Sequence, residues 1–393
     1  MENEKIKLLE GMDSYLPHVD GVITCMHNYC VYGSKRIDIT AIAPSYRDYT
    51  DNQPYKIKRC KSIYFPGLNV QYGQATHDRK FYKEIMSEKY DIVHVNSPFN
   101  MAKFAVKIAK KQHIPAVATF HTNMRSIFRM VVKSKLIAEI GVKVLGRIYN
   151  KYDEIFVCSE PVAEQCRSYG YKGRISYLPF GTNIPKCQNK DELIKEANEK
   201  LNLSSDELVF IHVGRLEKLK RISFIMDALK ILKDRGIKFR FYAIGTGGYE
   251  KKLKKHKKKL GFTDEEVTFT GFIDGETFKL LYARANLLLF PSLYDNFGLV
   301  KVEAAAYQTP GVFINGSCAG YGVKDGVDGY LSEDSPKAFA DRVEEAVSDR
   351  QKLKEVGKKA GEDLYITWEE CANQFVDRLY EVIQRCKKEG IKN

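Results

Sequence analysis

The sequence predicts an α/β protein made of two doubly wound, parallel-sheet domains that face each other across a cleft. With 393 residues, the chain exceeds the roughly 250–300 residues at which a single core stops growing. Short β-branched and aromatic runs alternate with helical patterns, and a charged, Asn-containing stretch separates two such series. We therefore predict domains over residues 1–185 and 186–365, followed by an amphipathic C-terminal helix over 366–393 that packs back toward the first domain.

The alternation of strand and helix patterns favours parallel βαβ units in both halves. In the first half the predicted strands are KIKLLE, DITAIAPS, DIVHVNSP, AVATFHT, EIFVCS and RISYLPFGT. In the second half they are ELVFIHVGR, KFRFYAIGTGG, VTFTGF, NLLLFPS and TPGVFING. Folds of this class bind ligands at the carboxyl ends of their strands, which is where we expect the functional residues.

Composition narrows the classes of function. Hydrophobic residues make up 44% and charged residues 29% of the chain, and no apolar run reaches the ~18 residues of a membrane span. The start of the chain has no apolar signal segment, so a cytoplasmic protein is expected. Nine scattered cysteines show neither C-x-x-C pairs nor zinc spacing, and no metal is expected. The net charge of +13 indicates an anionic partner, which leaves nucleic acid, an anionic membrane and a phosphorylated ligand open.

Several candidate ligand-binding residues lie in the stretch FPSLYDNFGLVKVEAAAYQTP, Phe290 to Pro310. It is typical of a buried strand, a turn from Asp295 to Gly298 and a helix whose unpaired first amides attract phosphate. Asp295 and Glu303 could accept hydrogen bonds from sugar or ribose hydroxyls. The alternative is an N-capping aspartate and a surface glutamate.

The pattern P-S-x-x-[DE]-x-F-G-x-x-x-x-E-A in this stretch resembles the acidic-x₇-acidic motif of family 4 retaining glycosyltransferases, which have the two-domain GT-B fold. The resemblance implies that Asp295 contacts hydroxyls of the donor sugar and that Glu303 binds the ribose. It also brings four backbone amides near the diphosphate and the sugar, those of Asn296, Phe297, Gly298 and Leu299. The family usually has Glu where this chain has the shorter Asp295.

Further matches lie in the same half of the chain. Gly214-Arg215-Leu216 followed by Lys220 resembles the family's G-R-L-x-x-x-K loop, in which Arg and Lys neutralise the diphosphate. Fixed cations suit this role because the departing diphosphate accumulates negative charge. Leu219 stands where the family usually has Glu, and the alternative for this segment is a solvated helix start. Gly271 in VTFTGF resembles a position beside the nucleobase.

In the first half, DSYLPHVDGV resembles the family's loop near donor and acceptor, with Gly21 preceded by Asp where many members have Gly-Gly. In ATFHT, His121 matches a histidine that touches the donor sugar. His94 and His212 are predicted to be structural. Cys318 in GSCAG formally fits a nucleophile elbow, but turn residues follow it where an elbow needs a helix, so we do not expect a nucleophile there.

Residues 125–151 carry a basic stripe. Its bases are Arg125, Arg129, Lys133, Lys135, Lys143, Arg147 and Lys151, against the single acid Glu139. Helical spacing puts Ile127, Val131, Ile137, Val144, Leu145 and Ile148 mostly opposite them, with Gly141 and Gly146 expected to split the segment into two helices. The stripe could be the wet face of a core helix or a docking surface for an anionic membrane. The stretch HTNMRSIFRMVVKSKLI resembles bacterial diacylglycerol glucosyltransferases, which favours the membrane.

The resemblance therefore implies a retaining glycosyltransferase that moves a hexose from a UDP-sugar, UDP-glucose foremost, to a lipid acceptor such as diacylglycerol. It implies catalysis at Asp295, His121, Arg215 and Lys220, with no metal or other cofactor. The protein would be cytoplasmic and peripheral on the inner face of the cell membrane, without a nucleic-acid partner. Three alternatives stay open: transfer to a soluble or capsular glycan, epimerisation of a sugar nucleotide, and a non-catalytic membrane- or nucleic-acid-binding module.

Overall fold

The computed structural model describes residues 5–65, 70–132, 134–273 and 275–391. Its contacts divide the chain into two compact units. Unit 1 comprises Met1–Gly181 and Trp368–Asn393, and unit 2 comprises Thr182–Thr367. The chain thus leaves unit 1 at Gly181 and returns to it at Trp368, whereas the sequence predicted boundaries after residues 185 and 365.

Unit 1 is built on a parallel sheet of seven strands in the order β3-β2-β1-β6-β7-β8-β9. Its strands are β1 (Lys7–Gly11), β2 (Asp38–Pro44), β3 (Lys56–Cys60), β4 (Ser62–Phe65), β5 (Val70–Gly73), β6 (Ile92–Val95), β7 (Ala116–Thr119), β8 (Glu154–Val157) and β9 (Arg174–Tyr177). Its helices are α1 (Gly21–Gly33), α2 (Arg79–Met86), α3 (Asn100–Gln112), α4 (Met124–Val131), α5 (Lys135–Tyr149), α6 (Glu160–Ser168) and, at the end of the chain, α14 (Trp368–Glu389). Strands β4 and β5 form a separate antiparallel pair.

Helix α14 belongs to unit 1 because its apolar face packs on α1. Its buried positions include Trp368, Phe375 and Leu379, at the spacing that predicted an amphipathic helix. The ring of Tyr29 in α1 stacks on Phe375 with centroids 4.7 Å apart. At the rim of this contact, Arg36 donates to the Asp377 carboxylate at 2.6 Å. The predicted return of the C-terminal helix to the first domain is therefore observed.

Unit 2 is built on a second parallel sheet of six strands in the order β12-β11-β10-β13-β14-β15. Its strands are β10 (Leu208–Val213), β11 (Phe239–Ile244), β12 (Val267–Gly271), β13 (Leu287–Phe290), β14 (Gly311–Ile314) and β15 (Tyr330–Ser332). Its helices are α7 (Lys190–Lys200), α8 (Ile222–Asp234), α9 (Glu250–Lys259), α10 (Gly275–Arg284), α11 (Leu299–Ala306), α12 (Pro336–Ser348) and α13 (Arg350–Asp363). The sheet is sandwiched between two apolar clusters, one on each face.

Every strand predicted from the sequence is present, and four further strands were missed. Strand β3 has the sequence KIKRC and lies at the edge of the sheet, where basic residues are tolerated. Its alternating bases therefore did not indicate a strand. Strands β4 and β5 form a short antiparallel pair apart from the main sheet, and β15 has 3 residues.

The prediction that Gly141 and Gly146 split the basic segment was wrong. Helix α5 runs without interruption through both glycines, and the break lies between Val131 and Lys135. The glycines permit close packing instead. A Cβ atom at Gly141 would lie 2.8 Å from the ring of Phe128, and one at Gly146 would lie 1.8 Å from the carbonyl oxygen of Tyr169.

Candidate active site

The predicted nucleotide-binding residues of unit 2 gather along one edge of its sheet. Strands β10, β11, β12 and β13 are parallel, so their carboxyl ends lie on the same side. Gly214, Gly245 and Asp295 follow β10, β11 and β13 in the chain, and Gly271 ends β12. This edge is where doubly wound folds bind their ligands.

The loops after β10, β11 and β12 touch one another through their backbones. The amide of Gly214 donates to the Ile244 carbonyl at 3.0 Å, and the amide of Gly245 donates to the Gly271 carbonyl at 2.8 Å. A Cβ atom on Gly245 would lie 2.1 Å from the carbonyl oxygen of Gly214. Only glycine permits this approach, which fixes the loop that carries Arg215. Arg215 itself is exposed, and its guanidinium has no hydrogen-bond or ion-pair partner among the described residues.

Lys220 and Asp295, which the sequence assigned to the diphosphate and the sugar, form an ion pair. Lys220 ends a short 3-10 turn, Lys218–Lys220, and its Nζ lies 2.5 Å from Asp295 Oδ1. The second carboxylate oxygen accepts a hydrogen bond from the Ser292 hydroxyl. The ammonium also lies 5.5 Å from the centre of the Phe290 ring. Both groups are half-buried, so water screens the pair less than on an open surface.

The turn from Asp295 to Gly298 leads directly into α11, as predicted. Gly298 has φ +73 and precedes the first helical residue, and α11 has no side-chain cap. A Cβ atom at this position would lie 3.1 Å from the Phe290 ring. Glycine is therefore favoured here by both the positive φ and the limited space. The amides of Asn296, Phe297, Gly298 and Leu299 thus lie at the positive end of the helix dipole, where an anion is stabilised.

Glu303 lies in the second turn of α11, and a buried tyrosine binds its carboxylate. The hydroxyl of the fully buried Tyr282 donates a hydrogen bond of 2.8 Å to Glu303 Oε2. Burial raises the pKa of Glu303 above its ordinary value, and the hydrogen bond from Tyr282 opposes that shift. Glu303 is therefore an oriented acceptor, which a hydroxyl-bearing ligand requires. No local pattern indicated a role for Tyr282.

Lys301 was also missed by the sequence analysis. Its ammonium is buried and donates to the carbonyl oxygens of Ala319 and Tyr321, each at 2.9 Å. The lysine therefore ties the loop after β14 to helix α11.

In unit 1, His121 follows β7 and is fixed by its neighbours. Its Nε2 lies 2.6 Å from the side-chain oxygen of Asn96, and its ring stacks on Phe180 at 5.5 Å. Because an amide oxygen only accepts, Nε2 carries the proton. Burial lowers the pKa of His121 to about 3, with His94 acting in the same direction. The ring is therefore neutral near pH 7.

A buried network stands behind His121. His94 Nδ1 lies 2.8 Å from a carboxylate oxygen of Glu10, and its Nε2 lies 2.7 Å from the Thr119 hydroxyl. Asn96, which binds His121, also donates to Glu10. The structural role predicted for His94 fits these contacts. Glu10 lies within β1, and no local pattern indicated that it binds two residues at the carboxyl end of β6, His94 and Asn96.

Gly21 is the first residue of α1 and is exposed, with no atom within 4 Å of a Cβ built on it. The preceding Asp20 caps the helix, since its carboxylate accepts from the amides of Val22 and Ile23 at 2.9 Å each. The aspartate that replaces the family's usual first glycine therefore has a structural role at the start of α1. Gly21 and His121 belong to unit 1, and the other predicted site residues belong to unit 2.

Comparison with known proteins identifies the family. The Glycosyltransferase Family 4 profile matches residues 19–184, and the Glycosyl transferases group 1 profile matches residues 194–363. The chain belongs to the family 4 glycosyltransferases. The recognition made from the acidic motif and the G-R-L loop is thereby confirmed, and the protein is an enzyme of the hexosyltransferase type.

Two characterised relatives of this glycosyltransferase are alpha-monoglucosyldiacylglycerol synthases. The protein from Acholeplasma laidlawii is 27% identical over 314 residues, which cover 76% of this chain and 77% of the relative. The one from Streptococcus pneumoniae is 26% identical over 303 residues, covering 76% and 68%. Both identities fall below a third of the aligned positions, so the relatives do not fix the acceptor.

Solved structures confirm the predicted GT-B fold. HepE from Anabaena in complex with UDP and glucose has a TM-score of 0.74 at 18% identity, covering 95% of this chain and 99% of that one. Sucrose-phosphate synthase from Thermosynechococcus elongatus has a TM-score of 0.77 at 19% identity, covering 97% and 100%. At these identities the likeness shows the fold alone.

The glycosyltransferase presents an exposed face on α5 that is both apolar and basic. Its apolar side chains are Leu136, Ile137, Ile140 and Val144, which are 72%, 56%, 54% and 45% exposed. The exposed bases beside them are Lys135, Lys143 and Arg147. We call these seven residues the α5 face. Of the apolar residues that helical spacing put mostly opposite the bases, Leu145 is buried, whereas Ile137 and Val144 are exposed. The buried side of α5 carries Ala138, Val142, Leu145 and Tyr149.

Part of the predicted basic stripe is neutralised within unit 1. Arg125 and Arg129 of α4 both bind Glu139 of α5, at 3.0 and 2.9 Å. Lys133 lies outside the described residues. None of the helices in the described part of the chain is long and apolar enough to cross a membrane.

Proposed function

We propose that this family 4 glycosyltransferase is a retaining enzyme that moves a hexose from a UDP-sugar, with UDP-glucose as the first candidate, to a membrane-lipid acceptor such as diacylglycerol. The observation that carries the acceptor half of the proposal is the α5 face. Four aliphatic side chains in water are costly for a soluble protein, and a contiguous exposed apolar patch marks an interaction surface. The bases beside them specify an anionic partner.

A membrane surface fits the α5 face better than a protein partner does. Interfacial helices bury an apolar face at the acyl boundary while lysine and arginine stems reach the headgroups. Lys135, Lys143 and Arg147 are exposed on the same helix as the four apolar residues, and the other side of α5 is buried in unit 1. We therefore propose a cytoplasmic enzyme that is peripheral on the inner face of the cell membrane, without a nucleic-acid partner.

The donor would bind along the carboxyl edge of the unit 2 sheet. Arg215 and Lys220 supply positive charge for the diphosphate, and the amides from Asn296 to Leu299 add donors at the start of α11. Glu303, oriented by Tyr282, accepts hydrogen bonds from the ribose hydroxyls. Gly271 leaves open space beside the nucleobase, because no atom lies within 4 Å of a Cβ built on it. The names of the two relatives support a glucosyl group, and the structure of HepE in complex with UDP and glucose supports a UDP-linked donor.

The chemistry requires positioning and charge stabilisation. The bond between the sugar C1 and the diphosphate oxygen breaks, a bond from C1 to the acceptor oxygen forms on the same face, and the acceptor proton passes to the departing diphosphate. Arg215 and Lys220 stabilise the charge that grows on that diphosphate. Within unit 2, Asp295 is proposed to contact hydroxyls of the donor sugar. For His121 and Gly21 of unit 1 we propose the roles that the family resemblance implies, contact with the sugar for His121 and a loop near donor and acceptor for Gly21. We propose that no metal or other cofactor takes part, since these two cations meet the same charge.

Release of UDP from a panel of UDP-sugars, with and without anionic vesicles that contain diacylglycerol, tests the proposal. The lipid extract is examined for new glycolipid. Release that requires the vesicles, together with a glycolipid product, supports the lipid transferase. Release with a soluble or capsular glycan but never with vesicles contradicts the lipid acceptor, and a converted sugar nucleotide without transfer indicates an epimerase.

Variants of the α5 face sharpen the test. We expect Leu136→Ser combined with Ile140→Ser to weaken vesicle binding about tenfold, because two exposed aliphatic side chains no longer enter the acyl boundary. Val327→Ser is the matched control, since Val327 is an exposed aliphatic residue of unit 2. Equal vesicle binding by the control and the double variant would exclude the α5 face as the docking surface.

A further inference from the structure

The buried histidine of β10 has an unused hydrogen-bond acceptor beside the candidate diphosphate site. His212 is fully buried, and its Nδ1 lies 3.0 Å from the carbonyl oxygen of Leu289 in β13. Its Nε2 is also buried and has no hydrogen-bond partner among the described residues. Buried polar atoms are nearly always paired, so this one calls for an explanation.

The Leu289 carbonyl determines the tautomer of the His212 imidazole. A carbonyl oxygen only accepts, so Nδ1 of His212 carries the proton. In a neutral imidazole the other nitrogen then bears a lone pair. Burial lowers the pKa of His212 to about 4, which keeps the ring neutral near pH 7. Nε2 is therefore an acceptor that needs an N–H or O–H donor.

The space in front of Gly214 connects this acceptor to Lys220. A Cβ atom built on Gly214 would lie 3.9 Å from His212 Nε2 and 3.8 Å from Lys220 Cε. The imidazole nitrogen and the end of the lysine side chain thus border the same small volume, which the glycine leaves open. A larger residue at position 214 would fill it.

Phe290 supports both side chains. The imidazole of His212 stacks on its ring with centroids 5.6 Å apart and planes 13° apart, and Lys220 Nζ lies 5.5 Å from the same centroid. The Lys220 ammonium has three N–H donors. One is directed to Asp295 Oδ1 at 2.5 Å, and a diphosphate oxygen would take a second. The third has no assigned acceptor.

We infer that His212 is a positioning residue for Lys220, with its Nε2 as the acceptor that orients the lysine ammonium toward the donor diphosphate. Asp295, which follows β13, and His212, which lies in β10, would then both bind Lys220, with the Phe290 ring beside its ammonium. This inference rests on the proposed function, because it assigns Lys220 to a nucleoside diphosphate.

Two substitutions separate the nitrogens of His212. His212→Asn keeps a donor near Nδ1 for the Leu289 carbonyl and removes the acceptor at Nε2. His212→Gln places an amide oxygen near the Nε2 position and loses the Nδ1 donor. We expect His212→Asn to weaken UDP binding, measured by calorimetry at pH 7.5, about tenfold. His212→Gln should retain most of the affinity. Thermal unfolding of both variants shows whether the fold survives.

A double-mutant cycle with Lys220→Met distinguishes positioning from general stabilisation. If His212 acts through Lys220, adding His212→Asn to Lys220→Met changes UDP affinity less than about twofold. The inference is overturned if the losses of UDP affinity multiply in the double variant. It is also overturned if His212→Gln loses as much UDP affinity as His212→Asn. His256→Asn is the control, since His256 lies on α9 and binds Asp227 at 2.7 Å.

The outcomes also separate this inference from the proposed function. If the wild type binds UDP and transfers sugar while His212→Asn matches it, the inference fails and the glycosyltransferase proposal stands. If the wild type binds neither UDP nor a nucleoside diphosphate of another base, both fail. If a nucleoside diphosphate of another base binds and the cycle still shows coupling, His212 positions Lys220 and the UDP assignment is wrong.

Discussion

Tyr282 and Glu303 are joined inside unit 2 by a hydrogen bond of 2.8 Å, in which the phenol donates to the carboxylate. Tyr282 lies in the last turn of helix α10 and Glu303 lies in α11, so the bond links the helices that precede and follow β13 in the chain. The ring of Tyr282 also stacks on Tyr307 with planes 17° apart. Glu303 is thereby held in one orientation.

Removing that hydrogen bond should weaken nucleotide binding. We expect Tyr282→Phe to lower UDP affinity about tenfold, because a hydrogen bond to a charged group is worth roughly 1.5–3 kcal/mol. Loss of the bond also raises the pKa of Glu303 further, so affinity should begin to fall at a higher pH than in the wild type. Calorimetric titration with UDP from pH 5 to 8 measures both effects. Tyr307→Phe, which keeps the ring stack, should bind UDP as the wild type does.

Glu303→Gln should increase stability while it impairs binding. Burial raises the pKa of Glu303 above that of the unfolded chain, so the native state binds the proton more tightly. The wild type therefore loses stability as the pH rises through that pKa, and the loss is absent below the unfolded pKa of about 4.3. We expect Glu303→Gln to have the higher Tm at pH 7.5 and no advantage near pH 4. Glu265→Gln, an exposed control, should show neither effect, and a lower Tm for Glu303→Gln at pH 7.5 would contradict the argument.

His121 should contribute to acid unfolding of unit 1. Its pKa is lowered to about 3 in the native state, against about 6.5 in the unfolded chain. The unfolded state thus binds more protons between these values, and stability falls as the pH drops from about 6.5 toward 3 by up to ~1.4 kcal/mol per pH unit. His121→Gln should flatten this slope in urea unfolding measured at several pH values. The exposed His77 offers a matched control, and equal slopes for His77→Gln and His121→Gln would refute the prediction.

Local patterns predicted much of this molecule, and long-range contacts explain what they missed. The strand before Asp295, the glycine turn and helix α11 are encoded within one stretch, so the sequence revealed them. The ion pair between Lys220 and Asp295 joins residues 75 positions apart. The sequence indicated each role separately and could not show that the two groups meet. Tyr282 is likewise unremarkable in its own helix and acquires its role only through Glu303.

The errors on α5 have the same origin. Propensity disfavours glycine in a helix, so Gly141 and Gly146 read as a break, whereas packing against Phe128 and Tyr169 overrides that local preference. Periodicity identified an apolar side of α5 but could not determine which side unit 1 covers. A helix with apolar residues on more than one side requires the structure to separate its core face from its exposed face.

Gly146→Ala should destabilise unit 1 strongly for a single methyl group. A Cβ atom there would lie 1.8 Å from the Tyr169 carbonyl oxygen, which belongs to the backbone and cannot rotate away. Overpacking of this kind typically costs about 1–3 kcal/mol or more. Urea unfolding followed by circular dichroism measures the loss. At Gly33, which ends α1, the nearest atom to a new Cβ lies 3.4 Å away, so Gly33→Ala should leave the midpoint nearly unchanged. A similar midpoint for both variants would show that α5 shifts without strain.

Arg215→Ala should abolish turnover and leave membrane binding intact. Arg215 is exposed after β10, has no partner among the described residues and lies on the loop fixed by Gly245. Its only predicted task is to stabilise charge on the leaving diphosphate, so we expect kcat to fall by about 10²–10³-fold. Vesicle binding depends on α5 in unit 1 and should be unaffected. Lys218→Ala removes an exposed cation three residues away and should retain wild-type turnover. If Arg215→Ala lost vesicle binding together with activity, or if Lys218→Ala were equally inactive, the effect would reflect general charge and not a diphosphate contact.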